Sequence, residues 1–203
     1  MQTLTRLYDD HATAAAVVSQ MEAAGISHSD ISIVSNDAAG QLVDGSTTTD
    51  TEDAAATGAG TGASIGTVLG GGAGLLAGIG ALAIPGVGPI VAAGWLVAAL
   101  TGAGVGAAAG SLLGSLTGAG VSEADGHVYA ESVRRGGTLV TVRADDEQTM
   151  RIQTMLDGTK PVDVLTRRTE YEAEGWTAHD PAATPYTAEQ VLAERNRRVG
   201  GVQ

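Results

Sequence analysis

The chain has 203 residues, no cysteine and a formal net charge of −12 at pH 7. This length allows one domain with an elaboration, or two small domains, to bury a core without metal or disulfide support. The lack of cysteine excludes disulfides, thiolate nucleophiles and cysteine-rich zinc or iron–sulfur sites. The excess acid and an aromatic content of 3 % argue against nucleic acid as a partner, because phosphate binding needs a basic face and base stacking needs aromatic rings.

Residues 1–35 predict a β-α-β unit. Residues 3–8 are typical of a short strand, and Asp10 is suited to cap a following helix. Residues 31–35 alternate apolar and polar, as a half-buried strand does. Residues 36–53 are rich in Asp, Gly, Ser and Thr without periodicity and predict a polar linker. The helix that follows Asp10 would bury one face, whose residues have i, i+3, i+4, i+7 spacing: Ala14, Val17, Val18 and Met21.

The next stretch, residues 54–122, contains no Asp, Glu, Lys, Arg or His. It is interrupted near its centre by Ile-Pro-Gly-Val-Gly-Pro at residues 84–89. Two prolines and two glycines so close together break a helix. The stretch therefore predicts an antiparallel helical hairpin, and its turn would comprise Pro85, Gly86, Gly88 and Pro89.

Small residues recur at every fourth position on both sides of this turn. Residues four apart lie on one helix face, where missing side chains let another backbone approach closely. Each glycine inside a helix costs about 1 kcal/mol relative to alanine, so close packing would have to return that energy. The predicted helix-packing interface comprises Gly58, Gly62, Gly66, Gly70, Gly74, Gly78, Gly94, Ala98, Gly102, Gly106, Gly110, Gly114 and Gly118.

The sequence allows two environments for the hairpin, a lipid bilayer or other protein. Each helix exceeds the roughly 20 residues that span a bilayer. The segments are nevertheless rich in Gly, Ala and Thr rather than Leu, and no Lys or Arg lies near their ends. We expect either a membrane-associated protein with its α+β domain in the cytoplasm, or a soluble cytoplasmic homo-oligomer with the hairpins at its core. The expected partner is another copy of the chain, with the lipid bilayer as a further partner in the first case.

Residues 123–168 predict an α-β-α-β unit. Ser122 is suited to cap the first helix, residues 138–143 alternate as a strand, residues 146–157 follow a helical pattern and residues 162–167 alternate again. Together with the first unit, this order suits an α+β fold: a ferredoxin-like four-stranded antiparallel sheet with helices on one face, interrupted by the Gly/Ala-rich hairpin. Residues 169–203 predict a polar tail, in which Thr187 and Gln190 form a capping box that opens a short helix.

Several of these segments resemble a known family. They are the strand-helix-strand start, the Gly-rich insertion broken at residues 84–89, and the sequences Glu-Ala at 123–124, Tyr-Ala-Glu at 129–131, Val-Arg-Arg-Gly-Gly-Thr-Leu-Val at 133–140 and Asp-Asp at 145–146. They are similar to the general stress protein 17M-like domain family, also called heat-induced stress protein YflT-like. The resemblance covers roughly residues 1–170. It implies a bacterial stress-associated protein without catalytic residues.

No catalytic, cofactor or metal site is predicted from the residues. The glycine spacing Gly72-x-Gly74 lies within a predicted helix, whereas a dinucleotide site needs it between a strand and a helix. The four histidines are scattered without an i, i+4 pair. Carboxylate clusters such as those at 9–10 and 170–174 are typical of solvated faces or caps. We expect a non-enzymatic protein, with a small-ligand-binding module as an alternative. The chain's own acids are the expected partners of Arg167, Arg168, Arg195, Arg197 and Arg198.

Overall fold

The computed structural model describes residues 2–36, 38, 80–84, 87–102, 111–184 and 186–200. In the first of these ranges, strand β1 spans Gln2–Tyr8, helix α1 spans His11–Ala23 and strand β2 spans Ile31–Asn36. Asp10 caps α1 by accepting a 2.8 Å hydrogen bond from the amide of Thr13. The four apolar residues of the predicted helix face are all buried. The predicted cap, helix and two strands are therefore confirmed.

The remaining described residues add three strands and six helices. Ser122 caps the third of these helices, and the Thr187–Gln190 capping box is confirmed by two reciprocal hydrogen bonds of 2.9 and 3.3 Å. In chain order the elements are β3 (Gly80–Ile84), β4 (Gly88–Gly94), α2 (Trp95–Gly102), α3 (Leu112–Gly118), α4 (Glu123–Arg134), β5 (Thr138–Ala144), α5 (Asp146–Gly158), α6 (Val164–Ala173) and α7 (Ala188–Gly200).

The five described strands form one sheet in the order β1-β5-β2-β4-β3, and every neighbouring pair is antiparallel. At the centre of the sheet, Ile33 of β2 lies between Val140 of β5 and Ala93 of β4. The last described strand along the chain, β5, thus lies between β1 and β2, the two strands joined by α1. The prediction of an α+β fold with an antiparallel sheet is confirmed.

The predicted helical hairpin is wrong at residues 80–84 and 88–94, whereas residues 95–102 and 112–118 of its second arm are helical as predicted. Residues 80–84 and 88–94 form two paired strands, so Gly88 and Pro89 begin β4 instead of turning between helices. Short apolar runs suit a buried strand as well as a helix. Pro89 is tolerated because it pairs with Ala83 on β3 but lies beyond the residues of β4 that pair with β2. Residues 54–79, 85–86 and 103–110 of the predicted hairpin lie outside the described residues.

The predicted strand at residues 162–167 is also wrong, because a helix begins inside it. Asp163 accepts a 2.7 Å hydrogen bond from the amide of Thr166 and so caps α6. Within this range, Val162 makes the strand-like contact, since its amide donates to the carbonyl of Leu7 on β1 at 2.8 Å. The four-stranded ferredoxin-like sheet is not confirmed, because β4 and β3 extend the sheet beyond β2 and the strand expected beside β1 is reduced to this bridge.

Helices cover both faces of the sheet, whereas the sequence predicted one. On one face, α1 and α5 enclose a core that includes Ile33, Val140 and Ile152. On the other, α2, α3 and α4 enclose a second core that includes Leu116 and Leu139. Strand β2 is consequently buried along its whole length. Its serines are satisfied within the sheet, for example by a 2.8 Å hydrogen bond from Ser32 Oγ to the carbonyl of Ala93.

The variant Leu116→Ala tests whether the charge-free residues of α3 belong to the domain core. Leu116 is fully buried against the second core, so its truncation is expected to lower the free energy of unfolding by about 3 kcal/mol. Leu165→Ala is the control, because Leu165 is 66 % exposed on α6 and its truncation should change stability by less than about 0.5 kcal/mol. Urea unfolding measures both variants, and equal effects would place Leu116 outside the core.

Candidate functional site: a charged cavity beside the C-terminal helices

The predicted helix-packing positions fall in several different elements. Gly94 ends β4 with a φ of +91°, so its prediction as a helix-packing residue is wrong. Ala98 and Gly102 lie in α2, and Gly114 and Gly118 lie in α3. The other predicted positions lie outside the described residues: Gly58, Gly62, Gly66, Gly70, Gly74, Gly78, Gly106 and Gly110 of the interface, and Pro85 and Gly86 of the turn.

A close helix contact does occur at Gly126 of α4, which the sequence analysis did not single out. A Cβ added to Gly126 would lie 2.7 Å from Cδ1 of Leu113 on α3, so the missing side chain allows the two helices to approach. A Cβ added to Gly118, a predicted interface position, would meet no described atom within 4 Å. At Gly118, therefore, the every-fourth register does not mark a close contact within the described residues.

The end of α4 carries a buried cluster of charges around Glu131, which is 1 % exposed. Its carboxylate accepts hydrogen bonds from Arg134 at 2.6 and 2.9 Å and from Arg135 Nε at 2.6 Å, because i+3 and i+4 residues share one helix face. His179 Nδ1 lies 3.4 Å from the same carboxylate. We call these four residues the Glu131 cluster. Arg135 also donates at 2.5 Å to Glu174, the residue that follows α6, so the cluster connects the tail to α4.

The Glu131 cluster keeps its carboxylate ionised. Burial alone would raise the pKa of Glu131, but the hydrogen bonds from His179, Arg134 and Arg135 outweigh burial and hold this pKa well below its usual range. The same pairing raises the pKa of Arg135, although burial acts in the opposite direction. The cluster is therefore a paired, structural charge centre at neutral pH.

Beyond this cluster, a cavity of about 300 Å³ lies between α6, α7 and the residue that follows β1. Tyr171 forms part of its wall, and the other lining residues are charged. Two arginines converge on one carboxylate oxygen, Oδ1 of Asp9: Arg167 donates to it at 2.8 Å and Arg198 at 3.0 Å. The carboxylates that line the cavity belong to Asp9, Glu170, Glu174 and Glu194, and the guanidinium groups belong to Arg167, Arg197 and Arg198.

No family model, curated protein or solved structure matches the chain. The family resemblance of the sequence therefore stays a prediction, and the site is judged on its geometry. Across the described ranges, no helix has both the length and the apolar character needed to cross a membrane. In the same ranges, no three His, Asp or Glu side chains are grouped so that they could hold a metal ion.

The five arginines between residues 167 and 198 pair largely as the sequence predicts. Arg168 contacts Asp125 at 3.1 Å, Arg197 donates to Glu174 at 2.6 Å, and Arg167 and Arg198 share Asp9. Arg195 differs, since it donates to the carbonyl of Gly136 at 3.1 Å. The acids at 170 and 174 are exposed, as predicted for a solvated face, and both also line the cavity. No local sequence signal identifies the cavity, because its residues come from three separate segments.

A serine and a histidine also lie in hydrogen-bond contact, as a nucleophile and its base would. Ser35 Oγ is 2.8 Å from Nδ1 of His11. The hydroxyl of Ser35 donates to Thr138 Oγ1 at 2.8 Å, and the residue is 1 % exposed within the sheet. A nucleophile must reach a substrate carbonyl, and this hydroxyl is enclosed. The pair is consistent with satisfaction of polar groups inside the sheet.

Proposed function

We propose that the protein is a non-enzymatic, self-assembling protein whose copies contact one another through the charge-free residues 54–122. The observation that carries this proposal is the position of β3, which ends the described sheet and pairs with β4 on one side. Its sequence, Gly-Ala-Leu-Ala-Ile, has no charge and no proline. Within the described residues, its outer edge has no strand partner. Such edges pair with other strands, because their backbone N–H and C=O groups need partners.

The partner that best fits this edge is a second copy of the chain. Two β3 strands related by a twofold axis run antiparallel, and this direction joins two antiparallel sheets edge to edge. The flanking segments 1–53 and 123–203 carry the whole charge of −12. Two copies therefore repel each other over most of their surface, and the uncharged stretch is the place where they can approach.

Part of the charge-free stretch is buried in the domain core, and this favours self-assembly over insertion of the whole stretch into lipid. Leu96, Leu112 and Leu116 are buried in the domain core beside α4, so they are not available to face a bilayer. Membrane association through residues 54–122 is the competing outcome of the experiment below.

We also propose that the sheet is a variant of the ferredoxin-like arrangement and that the protein shares the stress-associated role of the family it resembles. Two features support the fold proposal. Strand β5 lies between β1 and β2, and the Leu7–Val162 bridge lies at the free edge of β1, where a fourth ferredoxin-like strand would pair.

Light scattering of the purified chain after size-exclusion chromatography tests self-assembly. The wild type is expected to show a mass of at least two 20.2 kDa chains. Ala81→Lys and Leu82→Lys each add a charge to β3, at neighbouring positions that alternate between the two faces of a strand. At least one of the two variants is expected to be a monomer, because lysine on an edge strand opposes pairing with another strand. Circular dichroism verifies that each variant is folded.

Leu165→Lys is the matched control, because it adds the same charge at an exposed position on α6. It should leave the mass unchanged. If the wild type is a monomer and floats with uncharged (zwitterionic phosphatidylcholine) liposomes, which do not repel a chain of charge −12, membrane association replaces self-assembly. A wild-type monomer that does not float, or folded β3 variants that both keep the wild-type mass, would end the proposal.

A further inference from the structure

Strand β1 forms the end of the described sheet opposite to β3. One side of β1 pairs with β5 over all seven of its residues. In an antiparallel pair, alternate residues direct their backbone groups to the same edge. On the outer side of β1, the carbonyl of Leu7 accepts a hydrogen bond from the amide of Val162. The backbone groups of Leu7, Thr5 and Thr3 therefore face the outer edge, where a strand of another molecule could pair with them.

The segment between α5 and α6 occupies one end of this outer edge. The amide of Val162 donates to the carbonyl of Leu7 at 2.8 Å, and the two residues form an isolated antiparallel bridge. Pro161 has no amide hydrogen with which to extend the pairing on one side. On the other side, Asp163 already caps α6. The bridge thus covers the Leu7 end of β1 without adding a strand that could itself pair further.

The side chain of Arg6 occupies the next outward position, that of Thr5. Its Nη1 donates to the carbonyl of Thr5 at 2.9 Å, and its Nε and Nη2 donate to Oδ1 of Asp157 on α5 at 3.0 and 2.7 Å. Arg6 is also the only lysine or arginine among residues 1–133. Charged side chains on an edge strand oppose strand addition, because pairing would remove the charge from water. Of the three outward-facing residues, Thr3 alone makes no such contact within the described structure.

The two ends of the described sheet are therefore unequal. Strand β3 has no charged residue and no proline, and its outer edge has no strand partner within the described residues. A sheet with two open edges can add further copies without limit. When one edge alone is open, a twofold contact between two copies uses it up and the assembly closes.

We infer that Arg6, Asp157 and the Val162 bridge close the β1 edge, so that assembly through β3 stops at two chains. The number of chains rests on the proposed self-assembly through β3, whereas the closure of the β1 edge does not depend on it. The ion pair between Arg6 and Asp157 thus determines the size of the assembly from the end of the sheet opposite to the contact.

The double variant Arg6→Thr/Asp157→Asn tests this closure by light scattering over a range of protein concentrations. It removes both charges from the β1 edge, keeps the net charge at −12 and places a residue with good strand propensity at position 6. The wild type is expected to keep the mass of two 20.2 kDa chains at every concentration. The double variant is expected to show a mass at least about twofold higher that rises with concentration, because both edges are then open.

Glu147→Gln/Arg151→Thr is the matched control, because it also removes one acid and one base, both at exposed positions on α5. It should keep the wild-type mass. When Arg6→Thr/Asp157→Asn is combined with the β3 lysine variant that is a monomer, the mass is expected to reach at most two chains, because the β1 edge alone is then open. Circular dichroism verifies folding, and Arg6→Thr alone replaces the double variant if the latter does not fold.

The outcomes separate the closure of β1 from the self-assembly through β3. A wild-type mass above two chains would overturn the closure and leave self-assembly intact. A wild-type monomer would end self-assembly through β3, and the closure would then predict that the double variant dimerises through β1. The closure is overturned in either case if the folded double variant keeps the wild-type mass at every concentration, or if it exceeds two chains when β3 carries the lysine.

Discussion

Replacing Glu131 by alanine is expected to lower the free energy of unfolding by about 3–5 kcal/mol. The substitution leaves Arg135, which is 5 % exposed, without the carboxylate that its Nε contacts at 2.6 Å. It also removes the acceptor that orders Arg134 and His179. Arg135 keeps its contact with Glu174 at 2.5 Å, but its buried Nε loses its acceptor, and a buried donor of a charged group without a partner costs more than the net contribution of the hydrogen bond it made. Urea denaturation at pH 7 measures this change.

Glu172→Ala is the control for this measurement, because it removes a carboxylate from an exposed position on α6. Its effect is expected to stay within about 0.5 kcal/mol. If Glu131→Ala were no more destabilising than Glu172→Ala, the Glu131 cluster would not stabilise the fold.

The Glu131 cluster also determines how the free energy of unfolding changes with pH. The pKa of Glu131 is lowered in the folded state from its ordinary value of 4.5, so the unfolded state binds the proton more readily. The contribution of Glu131 to stability is therefore fully present above about pH 4.5 and is lost as the pH falls towards the folded pKa. The difference in unfolding free energy between the wild type and Glu131→Gln should shrink between about pH 5 and pH 3. A constant difference over this range would contradict the pairing.

The parts of the fold that the sequence predicted depend on local chemistry. Asp10, Ser122 and the Thr187–Gln190 pair each satisfy backbone amides within three residues, so a reader of the sequence can recognise them. The buried face of α1 repeats with the helical period and was equally visible. These features need no knowledge of what packs against the element.

The wrong predictions have a common cause: each depends on which other segments of the chain pack against or pair with the element. The serines of β2 suggested a solvated face, yet Ser32 and Ser35 are buried and hydrogen-bonded within the sheet. Small hydroxyl side chains are compatible with burial when an acceptor is near, so alternation did not reveal that helices cover both faces. The runs 80–84 and 88–94 are too short for periodicity to separate strand from helix. The outcome depends on the pairing of β4 with β2 and of β3 with β4.

The cavity illustrates the same limit for function. Arg167 and Arg198 stood out in the sequence as members of charged segments, and pairing with the chain's own acids was the correct expectation for most of the arginines named there. At the cavity, Asp9 accepts hydrogen bonds from Arg167 and Arg198, and Asp9 is distant from both along the chain. Which arginine meets which carboxylate depends on this three-dimensional arrangement, and composition does not reveal it.

Gly94→Ala is the second substitution with a large expected effect, a loss of about 3–5 kcal/mol of unfolding free energy or failure to fold. Gly94 has a φ of +91°, which costs a residue with a Cβ roughly 1–3 kcal/mol. Its position also forbids the added atom: a Cβ would overlap the carbonyl oxygen of Ile31 and lie 2.7 Å from Cα of Ser32. Both atoms belong to the backbone of β2, and Ser32 pairs directly with Gly94, so β2 can yield only by breaking its pairing with β4.

Gly118→Ala provides the contrast, because Gly94 and Gly118 were predicted to belong to one helix-packing face. Gly118 is the last residue of α3, and an added Cβ would meet no described atom within 4 Å. Alanine is the better helix former, so this variant is expected to keep or raise stability, by up to about 1 kcal/mol. Thermal and urea unfolding of the two variants separate the alternatives. A packing face predicts similar losses at both positions, whereas the strand-end position of Gly94 predicts a loss there and none at Gly118, and equal losses would restore the packing face as the explanation for both glycines.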